Sequence, residues 1–303
     1  MESELERRRA ASFDEFTERF ARLFDPESFE RGLAFRPEPS DVLISPFAKC
    51  GTTWLQQIVH ALRTRGDLDF DDISRVVPWI ETAGSLGLDL DAPQRARPRA
   101  FKSHLSWDHI PKGGRYIVSI RNPADALVSM YRFIEGWIFE PGAFPIEKLA
   151  RERFLQRGSG QDYWSHLASW WRVRDRDDVL LLSYEGMRRN PEGAVRRVAD
   201  FAGIALDDEL LDLVLAQSSL EFMLAHKDRF DDRMMRERSE TVAMLPPGAD
   251  SSKVRKGEVG AHRYELGEDV MAELDAVWRE TIQAELGFED YAAMEAEAFA
   301  RLS

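Results

Sequence analysis

The chain has 303 residues and a mass of 34.8 kDa, and its 44% hydrophobic and 31% charged residues are ordinary for a globular protein. A formal net charge of −13 argues against nucleic acid or an anionic membrane as a general partner, because the surface field would repel phosphate groups. The N-terminus lacks a signal core, no apolar stretch approaches the roughly 20 residues that cross a bilayer, and one cysteine cannot form an internal disulfide or a zinc motif. We therefore expect a single domain over residues 1–303, located in the cytoplasm, with any phosphate site confined to one place.

Residues 1–30 are predicted to form an N-terminal helix that packs on the core. Phe13, Phe16, Phe20 and Leu23 recur at helical spacing among charged residues. An amphipathic segment of this kind is more often structural than functional, so packing is its expected role.

Residues 41–54 predict a strand, a loop that binds an anion and the start of a helix. A short apolar run comes first, and Gly51 then allows backbone N–H groups to close on a ligand. Thr52 and Thr53 occupy the first turn of the helix, where N–H groups are unpaired. In a standard triphosphate-binding loop, G-x-x-x-x-G-K-[ST], the lysine follows the glycine, whereas Lys49 precedes Gly51 here.

Three more strands are predicted near residues 99–105, 116–120 and 178–185, and helices over residues 164–171, 191–202 and 207–216. This alternation predicts an α/β fold in which helices cover both faces of a parallel sheet. In such sheets ligands bind at the carboxyl ends of the strands. The residues that follow strands and can converge on one crevice are Lys49, Lys102, His104, Arg121 and Tyr184.

Residues 227–254 are polar and show no periodicity, with a Pro-Pro-Gly sequence near the middle. A long irregular segment inside a compact domain predicts either disorder or a functional lid, and we expect a flexible lid. The segment leads into Arg255, Lys256 and Gly257, a basic stretch suited to phosphate. Residues 268–286 then predict an amphipathic terminal helix.

The strand that ends at Ile120 is followed by Arg121. A triphosphate-hydrolysing enzyme needs an acidic residue at this position to hold magnesium. A cation there suits a second phosphate better than a metal, so no metal site is predicted.

Five motifs, in the right order between residues 41 and 260, resemble those of the cytosolic sulfotransferases. The loop around Lys49 resembles Y-P-K-S-G-T-T-W, with one inserted residue and with Cys50 at the serine position. The other four are Lys102-Ser-His104-Leu for K-T-H-L, Arg121-Asn-Pro-x-Asp125-x-x-Val-Ser129 for R-N-P-K-D-x-x-V-S, Tyr184-Glu-x-Met-x-x-Asn-Pro191 for Y-E-D-M-K-x-N-P, and Arg255-Lys256-Gly257-x-Val259-Gly260 for R-K-G-x-x-G. The resemblance implies the P-loop-like fold of that family.

The resemblance also implies that a sulfonate group is transferred from 3′-phosphoadenosine 5′-phosphosulfate (PAPS) to an acceptor, leaving 3′,5′-adenosine bisphosphate (PAP). By position, the residues that would hold the 5′-phosphosulfate and the adenine are Lys49, Cys50, Gly51, Thr52, Thr53 and Trp54. Those that would bind the 3′-phosphate are Arg121, Ser129, Arg255, Lys256 and Gly257. Those that would contact the nucleoside are Tyr184 and Ser218.

His104 is then the expected general base, since an imidazole with a pKa near ~6.5 titrates close to working pH. Lys49 and Lys102 would meet the negative charge that builds on the bridging oxygen of the departing nucleotide. Transfer would be direct and in line, because the one alternative nucleophile, Cys50, corresponds to a serine with a binding role.

The acceptor is expected to be a small aromatic or lipophilic alcohol. Trp79, Phe133, Trp137 and Phe139 fall where the family builds its acceptor pocket, although half of them could equally belong to the core. No nucleic acid or membrane partner is expected. A homodimer is in doubt because the family's K-x-x-x-T-V-x-x-x-E signature is absent, and Gly260-Ala261-His262 replaces its usual G-D-W.

Two other classes of protein remain open, as do two states of Cys50. A nucleotide kinase would share the fold but use ATP and magnesium, and a catalytically inactive regulatory protein would bind nucleotide without needing His104. Cys50 lies between Lys49 and a helix N-terminus, which favours a reactive thiolate, but free cysteine is also among the most buried residue types.

Overall fold

The computed structural model describes residues 6–254 and 259–302, and a parallel sheet lies at its centre. Its strands are β1 Val42–Ile44, β2 Ala100–Lys102, β3 Arg115–Ile120 and β4 Val179–Ser183. They are arranged in the order β2-β1-β3-β4, and every neighbouring pair is parallel. All four strands therefore end on the same side of the sheet, as the sequence predicts.

Helices account for most of the remaining regular structure. In chain order they are α1 Phe13–Ala21, α2 Pro26–Leu33, α3 Thr52–Thr64, α4 Ile73–Val76, α5 Pro123–Glu135, α6 Ile146–Leu149, α7 Tyr163–Arg172, α8 Tyr184–Arg189, α9 Pro191–Ala202, α10 Asp208–Gln217, α11 Leu220–Ala225, α12 Lys227–Phe230, α13 Arg233–Val242, α14 His262–Glu265, α15 Glu268–Trp278, α16 Ala284–Leu286 and α17 Tyr291–Ala300. A 3₁₀ turn occupies Gly84–Leu86, and π-helical turns occupy Ala150–Phe154 and Arg279–Gln283. Within the described ranges, none of these helices has the length and apolarity needed to cross a membrane.

Alternate residues of the strands enter two separate hydrophobic cores. Leu43 and Val118 pack in one core, whereas Val42, Ile44 and Ile117 pack in the other. Successive side chains of a strand point to opposite faces, so two cores mean that both faces of the sheet are covered. The predicted α/β fold, a single domain with helices on both faces of a parallel sheet, is confirmed.

The predicted N-terminal helix is in fact two helices, α1 and α2. The chain turns between them, and the Asp25 side chain caps α2 by accepting a hydrogen bond from the Ser28 N–H group. Pro26 occupies the first turn of α2, where its missing N–H group costs nothing. The aspartate and proline together form a helix-start signal inside the periodic aromatic pattern, so one continuous helix was the wrong prediction.

The prediction of an irregular segment over residues 227–254 is wrong for its first part, which contains α12 and α13, whereas residues 243–254 form no helix or strand. Phe230 and Met235 are buried, and the Met234 N–H group donates a 3.0 Å hydrogen bond to the buried Asp72 carboxylate. The segment is thus fixed by contacts with residues far away in sequence. A local pattern could not predict them, because α13 is mostly polar along its length.

Candidate active site

The loop between β1 and α3 has a backbone shape that suits an anion. Lys49 and Gly51 have φ angles of 69° and 98°, and a Cβ atom on Gly51 would lie 3.1 Å from the Tyr184 ring. Ser119 and Arg121, at the end of β3, donate hydrogen bonds to the carbonyl oxygens of Cys50 and Lys49, at 2.5 and 2.8 Å. Both carbonyl oxygens therefore point towards β3. In a trans peptide the N–H group points away from the carbonyl oxygen, so the N–H group of Gly51, which shares its peptide with the Cys50 carbonyl, faces away from the sheet.

The start of α3 leaves polar groups without partners. The N-cap residue Gly51 offers no side chain to the first turn, where helical N–H groups are unpaired. The Thr52 hydroxyl is buried and has no hydrogen-bond partner among the described residues. A bound phosphate or sulfate would satisfy both, and the helix dipole would favour its negative charge.

Arg121 and two aromatic rings form the side of the site nearest β3 and β4. The Arg121 guanidinium lies 4.4 Å from the centroid of the Tyr184 ring, and Trp54 packs edge-on against the same ring at 5.8 Å. Ser129 and Ser218 line the same cavity, although the Ser218 hydroxyl already donates a 2.6 Å hydrogen bond to the Val214 carbonyl. The predicted nucleotide residues that line one cavity are Lys49, Gly51, Thr52, Thr53, Trp54, Arg121, Ser129, Tyr184 and Ser218.

The ammonium groups of two lysines at the loop lie over aromatic rings. The Lys49 ammonium lies 3.9 Å from the centroid of Phe133, and the Lys102 ammonium lies 3.8 Å from that of Trp79. Burial lowers the pKa of each lysine to about 7, because a low-dielectric surrounding disfavours the charged form. For Lys49, the positive charges of Lys253 and Arg121 act in the same direction.

Asp232 is the counter-charge of this cationic cluster, and the sequence analysis does not predict it. Its carboxylate lies 2.5 Å from the Lys253 ammonium and 4.0 Å from that of Lys102. Although burial opposes it, the neighbouring Lys102 and Lys253 charges lower the pKa of Asp232 to about 2. Asp232 precedes α13, so the segment expected to be irregular supplies an ionised carboxylate to the site.

His104 is held by three contacts. Its Nδ1–H donates a 2.8 Å hydrogen bond to the Pro46 carbonyl, its backbone N–H donates to Glu81 at 2.7 Å, and its ring packs edge-on against Trp79. A carbonyl oxygen can only accept, so Nδ1 carries the proton and Nε2 keeps a free lone pair. Burial, with Lys102 as a second cause, holds the pKa of His104 well below 6.5.

A cavity of about 640 Å³ joins the loop, the lysines and His104 to an apolar wall. The predicted acceptor residues Trp79, Phe133 and Trp137 line it. Phe139 does not, because its fully buried ring packs against Phe16 and Phe144, so its assignment to the acceptor pocket is corrected to the core.

The N-terminal helices supply much of the apolar wall, a role that the sequence analysis did not predict for them. The lining residues from α1, α2 and the turn between them are Phe16, Phe20, Leu23, Phe24 and Phe29. Their aromatic spacing predicts an apolar face but not what that face covers.

The basic stretch Arg255, Lys256 and Gly257 lies outside the described residues, but its flanks are anchored. Before it, Lys253 pairs with Asp232. After it, the Asp125 carboxylate in the first turn of α5 accepts hydrogen bonds from the Gly260 N–H group at 2.7 Å and from His262 Nδ1 at 2.8 Å. His262, one of the departures from the family pattern, thus holds the residues after this stretch to α5.

The structure favours the buried state of Cys50 and contradicts the reactive thiolate. Cys50 is 1% exposed and belongs to the hydrophobic core. Burial raises the pKa of its thiol to about 12, which outweighs the opposing charges of Arg121 and Lys49. Position beside a helix N-terminus favours a thiolate only where the sulfur is accessible.

We therefore expect Cys50 in the native protein to resist iodoacetamide at pH 8, with or without nucleotide. Mass spectrometry should find a single carbamidomethyl group only after the protein is unfolded. Native labelling that PAP suppresses would instead restore the reactive-loop hypothesis.

The sulfotransferase domain family matches residues 39–285, which is most of the chain. The chain belongs to the sulfotransferase family, and it is a sulfotransferase enzyme.

Several curated relatives agree with this assignment. Sulfotransferase 1B1 of the dog, Canis lupus familiaris, is 30% identical over 239 residues, covering 75% of this chain and 78% of the relative. Sulfotransferase 1C2 of Homo sapiens is 28% identical over 244 residues, with the same coverage of 75% and 78%. The 3-alpha-hydroxysteroid sulfotransferase of Cavia porcellus is 33% identical over 200 residues, covering 62% of this chain and 68% of the relative.

Two solved structures share the fold. A retinol dehydratase in complex with androsterone and the inactive cofactor PAP has a TM-score of 0.65 and 18% identity, covering 84% of each chain. The mouse sulfotransferase SULT7A1 complexed with PAP has a TM-score of 0.65 and 18% identity, covering 86% of this chain and 91% of that chain.

Proposed function

We propose that this sulfotransferase uses PAPS as its donor and transfers the sulfonate group to a hydroxyl of a small aromatic or lipophilic acceptor. One observation carries the proposal: an anion-binding loop and an aromatic wall face the same cavity, and His104 and two lysines also line it. Donor and acceptor would meet at these residues.

The donor side fits a nucleotide with two anionic ends. The unpaired N–H groups of the loop and the first turn of α3 suit the 5′-phosphosulfate, together with Thr52 and Thr53. Arg121 offers a planar guanidinium to the 3′-phosphate, and Trp54 presents a ring for the adenine. The PAP bound in the two structural neighbours supports this donor.

The reaction is a direct in-line displacement. His104 Nε2 takes the proton of the acceptor hydroxyl while the oxygen attacks sulfur, and the bond from sulfur to the bridging oxygen of PAP breaks. Lys49 and Lys102 stabilise the charge that builds on that bridging oxygen. The proton on His104 Nδ1 and the hydrogen bond to Pro46 fix the ring in the tautomer that this role needs.

The acceptor class follows from the wall of the cavity. Trp79, Phe133 and Trp137 contribute flat apolar surfaces, and the three aromatic residues of α1 and the turn after it extend the wall. A ring system or an extended lipid that bears one hydroxyl group fits such a surface. The androsterone bound to the retinol dehydratase supports an acceptor of this kind.

The two alternative classes are less well supported. The kinase hypothesis requires an acidic residue after β3, where Arg121 stands. An inactive regulatory protein would not need an imidazole held with a free Nε2 beside two lysines.

A calorimetric titration tests the donor assignment. In the absence of magnesium, PAP should bind more tightly than ATP, because the cation Arg121 stands directly after β3, where an enzyme that binds ATP with magnesium has an acidic residue. PAP should also bind roughly 10- to 150-fold more tightly than AMP, which lacks the 3′-phosphate, the range expected for one charged contact.

Arg121→Met should remove most of that difference by weakening PAP far more than AMP. Arg196→Met is the matched control, because Arg196 is exposed and pairs with Glu192 on α9. Equal weakening of PAP and AMP by Arg121→Met would show that Arg121 does not bind the 3′-phosphate. Tighter binding of ATP than of PAP would overturn the donor assignment.

A further inference from the structure

Arg153 is a cation in the apolar part of the cavity, and the proposed reaction does not use it. It lies in the π-helical turn Ala150–Phe154, lines the cavity with Leu149, and is half-buried. Its guanidinium lies 5.2 and 5.0 Å from the ring centroids of Phe16 and Phe20. Single π-helical turns are found disproportionately at functional sites.

The guanidinium of Arg153 has no carboxylate partner among the residues that the structure describes. The guanidinium lies against the two aromatic rings, and the pKa of the group is lowered by burial alone. Cation–π contacts offset part of the cost of removing the guanidinium from water. They do not replace the oxygen acceptors that its five N–H groups would otherwise bind. The absence of a counter-charge is unusual in a chain with a net charge of −13.

Neighbouring arginines in the same stretch behave differently. Arg151 is paired with Asp269 and Glu273, and Arg157 is paired with Glu280. Both point to the surface, where they bind carboxylates of the C-terminal helices. Arg153 alone of these three faces the cavity.

A row of aromatic contacts separates Arg153 from the reacting groups. Phe20 packs on Phe24 at 5.4 Å, Phe24 on Trp79 at 5.9 Å, and Trp79 on His104 at 5.1 Å. The Arg153 guanidinium and His104 thus stand at the two ends of this row of three rings, all of which line the cavity. A ligand whose hydroxyl reaches His104 would extend its other end towards Arg153.

We infer that Arg153 selects acceptors that carry a carboxylate at the end remote from the reacting hydroxyl, so that the acceptor class is an amphipathic hydroxy acid. This inference rests on the proposed function, since it assumes that the cavity holds the acceptor. Arg153 is a specificity-determining residue: its planar N–H groups pair with the carboxylate in two parallel hydrogen bonds, and the aromatic rings cover the apolar middle of the ligand.

The experiment uses (4-hydroxyphenyl)alkanoic acids of increasing chain length, each paired with its methyl ester. Binding to the full-length protein saturated with PAP is measured by calorimetry, and transfer from PAPS by product formation. For the best-fitting length, the acid should bind roughly 10- to 100-fold more tightly than its ester. The ratio should fall to about one in Arg153→Met, and Arg153→Lys should retain part of it.

Arg151→Met is the matched control, because it removes a surface arginine from the same helical turn and should leave the acid-to-ester ratio unchanged. A wild-type protein that binds acids no better than esters at every length would overturn the inference, as would an Arg153→Met protein that keeps the preference. Failure of transfer with every acceptor would contradict the proposed function instead, and the binding ratio would still decide the role of Arg153.

Discussion

Replacing His104 by alanine is expected to lower kcat for sulfonate transfer by about 10²- to 10⁴-fold, the range for loss of a general base. The Kd for PAP should stay within a few fold, because His104 acts on the acceptor in the proposed reaction and contacts the loop only through the Pro46 carbonyl. This variant should therefore bind PAP almost normally but transfer the sulfonate group slowly. Single-turnover transfer and PAP calorimetry on the same preparation measure the two effects.

His109→Ala is the matched control, since His109 is exposed on the segment that follows His104. It should leave turnover unchanged. Because the pKa of His104 is held well below 6.5, the free enzyme should keep an unprotonated base down to mildly acid pH, and its transfer rate should not fall between pH 8 and 6.5 through protonation of this group. Near-normal turnover in His104→Ala would remove His104 from the mechanism.

Lys49→Met is expected to lower kcat/KM for PAPS by roughly 10²- to 10³-fold, the range for removing one preorganised group that stabilises transition-state charge. Lys148→Met is a suitable control, because Lys148 is a surface residue that pairs with Glu152. A variant at Lys49 that loses affinity but keeps its kcat would show that the lysine binds the donor without assisting departure of PAP.

Lys49 and Lys102 together make nucleotide binding depend on pH. The pKa values of Lys49 and Lys102 are lowered to about 7 from an ordinary 10.5, so at pH 8 the empty site is mostly neutral at both residues. Bound anions favour the ammonium form and raise both pKa values again. PAP binding at pH 8 should therefore take up between about one and two protons, and Lys49→Met should roughly halve that number.

The lowered pKa values of Lys49 and Lys102 also make the free energy of unfolding depend on pH. Between about pH 7 and 10.5 the folded protein without nucleotide holds fewer protons than the unfolded chain, so the contribution of these lysines to stability rises with pH across that window.

Calorimetry in buffers of different ionisation enthalpy measures the proton uptake on PAP binding. Binding without uptake, or with proton release, would mean that these lysines do not meet the nucleotide.

The parts of the fold that the sequence predicts are those with a local signal. The strand at residues 42–44 is a continuous apolar run. The helix Pro191–Ala202 has a proline in its first turn and a glycine directly after its last residue. Parallel pairing then follows from the alternation of strands and helices, and it brings Lys49, Lys102 and Arg121 to one edge of the sheet.

The remaining features depend on contacts between distant residues. Asp232 is one polar residue among many in a segment without periodicity, and only the fold brings it to Lys102. Phe139 and Phe133 have the same chemistry and lie close together in sequence, yet one is in the core and the other lines the cavity. Arg153 lies among other arginines, and its direction depends on a π-helical turn that has no reliable sequence signal.

The most direct test of the proposed function is transfer from PAPS labelled with sulfur-35 to 2-naphthol, an uncharged aromatic alcohol. The wild-type protein should form labelled 2-naphthyl sulfate and PAP in equal amounts without added metal, whereas His104→Ala should form product at least about 100-fold more slowly. Failure to transfer label to any hydroxyl acceptor, although PAP binds, would contradict the proposed function.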